Sequence, residues 1–125
     1  MLRQVRIDVT TDASGDGVTT VTMPVMGGKL HAVEWRKGSY ADGVDAVLAV
    51  TDTSSGTTNT LLTLTDANTS TWYYPRYILH SETGAALTGT SGGDRGKAII
   101  NGNLRLTVAQ GGDTKSGGVV VWFEA

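Results

Sequence analysis

The sequence predicts an all-β protein: a two-sheet antiparallel sandwich, jelly-roll-like and of about eight strands, formed as a single domain over residues 1–125. Three observations predict it. Seventeen glycines, abundant Thr and Val and only two prolines suit strands joined by tight turns far better than helices. Apolar and polar residues alternate with period two in segment after segment. Turn signals also punctuate the chain at the spacing of sandwiches, and a single sheet of so many strands would leave one apolar face wet, so two sheets must pack together. A jelly roll, with its first and last long strands as neighbours, is the most economical arrangement, and an immunoglobulin-like sandwich is the alternative.

The elements follow in order. In RQVRIDVTT, Val5, Ile7 and Val9 share one face and Gln4, Arg6 and Asp8 the other. DASGDG, residues 12–17, supplies a turn. VTTVTMPV puts Val21, Met23 and Val25 in step, and Pro24, which has no N–H for the ladder, marks an edge or strand end before Gly27-Gly28. KLHAVEWRK alternates His31, Val33 and Trp35 against Leu30, Ala32 and Glu34. VDAVLAVTD aligns Val44, Ala46, Leu48 and Val50 as a central strand, and TLLTLTD sets Leu62 and Leu64 in step. WYYPRYILH, residues 72–80, is an aromatic-rich strand. Residues 81–96 read as a long surface loop with a short helical turn near Thr83 to Leu87. Asn101-Gly102 fits a type I′ hairpin between KAII and NLRLTVAQ, where Leu104, Leu106 and Val108 share a face.

The last strand, GVVVWFE, breaks the alternation. Val119, Val121 and Phe123 line one surface, yet Val120 and Trp122 make the opposite surface apolar too. Covering each of these two side chains is worth about 1.5–3 kcal/mol, and no later residue can do it. An apolar strand left open also invites uncontrolled pairing, with Glu124 its one charge. A partner protein, a second copy or the 81–96 loop is therefore expected over Val120 and Trp122.

Composition and motifs exclude much chemistry. Ten basic and twelve acidic residues give a net charge of −2, with neither the basic stripe of a nucleic-acid binder nor a polyanionic tail. Without cysteine there is no disulfide framework and no thiolate zinc site. The first residues alternate rather than form a signal peptide, and no apolar run could span a bilayer, so the expectation is a soluble, non-exported protein without a membrane partner. His31 and His80 stand isolated in strand patterns. Asp12 and Asp16 fall short of a calcium loop, and turn chemistry accounts for them. The serines at Ser14-Gly15, Ser55-Gly56 and Ser91-Gly92 lack a nucleophile elbow, and Gly92-Gly93 and Gly111-Gly112 lack P-loop spacing. Asn68-Thr69-Ser70 matches a glycosylation acceptor that, without a secretion signal, reads as coincidence. The sequence thus predicts no enzyme, and no catalytic, metal or cofactor site.

What remains is aromatic. Trp72, Tyr73, Tyr74 and Tyr77 flank Pro75-Arg76, with Trp35, Tyr40 and Trp122 elsewhere. Some of these fill the core. Tyr74, Arg76 and Trp122 suit a protein contact, because interfaces enrich Tyr, Trp and Arg, and an exposed sugar-binding platform is a further option. Trp72-Tyr73-Tyr74-Pro75-Arg76 and the run from Asn103 through Gln110-Gly111-Gly112-Asp113 to Gly117 resemble small virion proteins of tailed bacteriophages, over most of the chain. Many of these look like jelly-roll capsid decoration or cement proteins. The resemblance implies a homo-oligomer, dimer or trimer, assembled in the bacterial host cytoplasm, that clamps the major capsid protein on the outer surface of the head by multivalent contacts. Under it, Val120 and Trp122 are expected in a self-contact, and Tyr74, Arg76 and the 81–96 loop against the shell. A neck, tail or spike component, or a carbohydrate-binding β-sandwich, are the alternatives.

Overall fold

The computed structural model describes residues 1–22, 28–87 and 95–124. The continuation of the second strand through Met23, Pro24 and Val25, Gly27, and residues 88–94 of the long loop lie outside them. The described residues form eleven strands and no helix: β1 (Leu2–Thr10), β2 (Gly17–Thr22), β3 (Gly28–Arg36), β4 (Asp45–Asp52), β5 (Thr58–Leu64), β6 (Thr71–Tyr73), β7 (Tyr77–Ile78), β8 (Arg95–Gly96), β9 (Ile99–Ile100), β10 (Gly102–Ala109) and β11 (Ser116–Glu124). All pairings are antiparallel.

The first sheet runs β1-β11-β3-β6, with β9 also on β3; the second runs β2-β10-β4-β5; β7 and β8 make a separate ribbon. Alternation sends one face of each sheet inward. Ile7, Val33, Trp35, Val119, Val121 and Phe123 from the first sheet meet Leu48, Val50, Leu104, Leu106 and Val108 from the second in one buried cluster. β1 pairs with β11 along its whole length, from Leu2↔Glu124 to Thr10↔Ser116. Tyr40 locks one end of this cluster: its ring stacks on Trp35 at 5.7 Å, and its hydroxyl donates to the Val9 carbonyl at 2.5 Å.

Several local readings need correction, each for a physical reason. In β3 the register slips opposite Trp122/Phe123, so His31 becomes a bulge residue and Leu30 joins Val33 and Trp35 inside. A second slip at Leu48/Ala49 puts Leu61 and Leu64 in the core of β5, with Leu62 only partly buried. One inserted residue exchanges the faces of everything beyond it, and strict alternation cannot register that. The expected 72–80 strand stops at Tyr73 and resumes at Tyr77, because Pro75 cannot donate to a ladder. Near residues 83–87 there is no helical turn. Gly84 (φ 85°) donates to the Ser81 carbonyl, and His80 bridges Ala86, which makes a small antiparallel tip.

Asn101-Gly102 is not a hairpin either. Ile99–Ile100 pairs with β3 in the first sheet, while β10 starts at Gly102 between β4 and β2 in the second, so the chain changes sheets here. Gly102 has φ 141°, and a Cβ on it would lie 2.0 Å from the Thr51 carbonyl oxygen. Only glycine permits that approach.

Candidate functional site

The outward face of the first sheet carries the unusual side chains, and register places them in rows. Asp8, Gly118 and Arg36 lie abreast; next come Arg6, Val120, Glu34 and Trp72; then Gln4, Trp122 and Ala32. The terminal strand is thus a central strand. Its second face is flanked on both sides by the long side chains of β1 and β3, whose aliphatic stems can cover apolar surface.

That arrangement changes what was expected of Val120. It is only 6% exposed within its own chain, so no partner protein is needed to cover it. Trp122 is partly buried, and its indole lies 6.1 Å from that of Trp72, tilted by 34°. The residue between them is Ala32, small and buried although it faces outward. Trp122 Nε1 is shut off from solvent without a hydrogen-bond acceptor, which costs about 1–3 kcal/mol.

Tyr74 is 60% exposed, its ring meeting that of His31 edge-on at 6.5 Å. Arg76 has a different position from the one expected of a contact residue. It is partly buried, and its Nη1 donates to the carbonyls of His31, at 3.1 Å, and Pro75, at 2.8 Å. It pins the turn between β6 and β7 onto the bulge of β3. Beyond that turn the ribbon holds Ile78, Leu79 and Leu87, all exposed, and Leu87 N–H donates to the Leu79 carbonyl at 2.9 Å. At the same end of the sheet His31 Nδ1 lies 3.4 Å from Glu124, which also binds Lys97. The Lys97 ammonium holds the Glu124 carboxyl below its ordinary value.

At the opposite end is a groove of about 880 Å³, bordered by Arg6, Asp8, Glu34, Arg36 and Trp72. Gly117 lines it, and Gly118 leaves no side chain standing between Asp8 of β1 and Arg36 of β3. Arg6 Nε donates to both oxygens of Asp8, at 2.9 and 3.1 Å. Among the described residues neither Glu34 nor Arg36 has a side-chain hydrogen bond or ion pair. Sequence reasoning passed over this group, although Arg6-x-Asp8 and Glu34-x-Arg36 each put two opposite charges on one face. Among the described residues no three of His, Asp and Glu gather as a metal site would require.

Comparisons with known proteins place these features in no family. No family model matches the chain, and no curated protein does. Among solved structures there is a weak similarity to a virus-like particle of the giant freshwater prawn Macrobrachium rosenbergii extra small virus. It covers 99% of this chain and 80% of that one at 13% identity, with a TM-score of 0.24. A score that low bears on neither fold nor function.

Proposed function

We propose that the chain is a jelly-roll structural protein of a virion, of the capsid decoration or cement type, that acts as an oligomer on the outer surface of the head. The strand pairing supports the jelly roll. Setting aside the short β7, β8 and β9, the eight remaining strands pair first with last, second with seventh, third with sixth and fourth with fifth. This is one long hairpin rolled up, and the two further pairings, β11 with β3 and β10 with β4, are the seams where the roll closes. Jelly rolls serve in viral capsids but also in lectins and cupins, so the role has to rest on a surface.

The observation that carries the role is the run of exposed apolar side chains from Tyr74 through Ile78, Leu79 and Leu87, displayed on a turn and ribbon outside both sheets. Apolar and aromatic groups that project beyond a rigid frame suit contact with another protein. We assign this surface to the capsid shell, with Arg76 fixing its angle. Trp122, still partly open, is assigned to the self-contact; Val120 has little surface left to contribute.

Two measurements test the reading. Native mass spectrometry of the purified protein should give a dimer or trimer that Trp122→Ala weakens. Co-sedimentation with heads of the virus that encodes the chain should be saturable and lost in the Tyr74→Ala/Leu79→Ser double variant. A monomer at high concentration that ignores the heads overturns it.

A further inference from the structure

We infer that the groove bordered by Trp72, Glu34, Arg36 and the Arg6–Asp8 pair is a binding site for a neutral oligosaccharide, a property that goes beyond the structural role and does not depend on it. Its volume, about 880 Å³, falls within the range of ligand clefts. Trp72 is 47% exposed, so an indole is presented to solvent at the rim of a polar hollow. The apolar face of a pyranose ring stacks on such a surface, while its hydroxyls need donors and acceptors around the ring edge.

The groove supplies both. The Glu34 carboxylate accepts, the Arg36 guanidinium donates, and neither is bound by another described residue. Arg6, bound to Asp8 through Nε, keeps its terminal nitrogens for a ligand. Ser70 Oγ accepts from the Lys37 N–H at 3.0 Å, which leaves its own proton to donate.

Charge selects among ligand classes. Two guanidinium groups face two carboxylates, so the lining is balanced. A phosphate, sulfate or nucleic-acid strand would meet Asp8 and Glu34 with no surplus of positive charge, and a polybasic segment would meet Arg6 and Arg36. An uncharged, hydroxyl-rich ligand has no such conflict. Gly118, abreast of Asp8 and Arg36, adds no side chain at that end of the groove.

The test is titration of the purified protein with neutral oligosaccharides, a panel of cellotetraose, xylotetraose, maltotetraose and chitotetraose, followed by tryptophan fluorescence and calorimetry up to about 10 mM, the range of weak single-site binding. At least one should bind saturably. Trp72→Ala should weaken it by more than about tenfold and Glu34→Gln or Arg36→Ala by about fivefold to tenfold, with Trp122→Phe unchanged, as expected when a few central groups carry binding. Circular dichroism monitors folding; should Trp72→Ala unfold, the Glu34→Gln result decides. The inference is overturned by no binding to folded protein across the panel, by binding that survives both Trp72→Ala and Glu34→Gln, by binding confined to sulfated sugars with a steep salt dependence, or by protection of Trp72 through self-association alone. Self-association and head binding are read separately, so this site and the virion role fail independently.

Discussion

The two sheets turn very different outer faces to their surroundings. On the second sheet the central strand β10 presents Asn103, Arg105 and Thr107, flanked by Val18, Thr20 and Thr22 on β2 and by Val47, Ala49 and Thr51 on β4. These are small, β-branched or singly charged side chains, suited to a pleated surface beneath water. On the first sheet the central strand instead carries Val120 and Trp122, beside Trp72 and four charged groups, two of them without partners among the described residues. One face needs only to be soluble. The other leaves a buried indole N–H unpaired and exposes a tryptophan, neither of which stabilises the fold.

The contrast can be broken or sharpened by substitution. The inner face sets the scale: Phe123→Ala should cost about 3–5 kcal/mol in denaturant unfolding, as for any well-packed core aromatic. On the outer face of the same sheet, Trp122→Ala should cost about 2 kcal/mol, while Trp122→Phe should stay within about 1 kcal/mol because it removes the donor that lacks an acceptor. Equal losses for the two would mean that the N–H is satisfied. Val120→Ala should cost about 1.5 kcal/mol, a core-like value for a residue whose side chain points outward. Thr107→Ala and Arg105→Ala, at equivalent central positions of the other outer face, should change stability by less than about 0.5 kcal/mol. If they match Val120→Ala, the two faces are alike and the distinction fails.

Alkaline pH tests the corner that joins the sheets. Burial pushes the Tyr40 hydroxyl up from 10.0 to about 12, so the fold favours its neutral form. Its contribution is complete below pH 10 and is lost as pH rises through about 12. Wild-type protein should therefore lose stability across that window more steeply than Tyr40→Phe, although the variant starts lower by about 1 kcal/mol for the lost bond to Val9.

The sequence made the architecture legible wherever alternation ran undisturbed. The inward sets Ile7 and Val9, Val44 to Val50, Leu104 to Val108 and Val119 to Phe123 are all in the core. It failed where one residue was inserted, at His31 and Leu61, and where a turn-like dipeptide proved to be a crossing between sheets, at Gly102. Bulges and crossings are fixed by tertiary pairing, which local pattern does not encode. The same limit applied to the site. Tyr74 and Trp122 stood out by residue type, whereas the groove depends on β1, β3, β6 and β11 lying side by side, and its charged residues looked like ordinary solvated positions until that neighbourhood was known.

The pairing of Leu2 with Glu124 also governs how the protein comes into being. Among the described strands only β4 and β5 are joined as a simple local hairpin; the other pairings within the two large sheets span longer stretches of chain, and that of β1 with β11 runs from Leu2 to Glu124. Chain-entropy costs of this kind place folding in the slow, millisecond-to-second regime of β proteins. The surroundings of Trp122 require β1, β11 and β3 to lie side by side, so that face is complete only once these long-range pairings have formed.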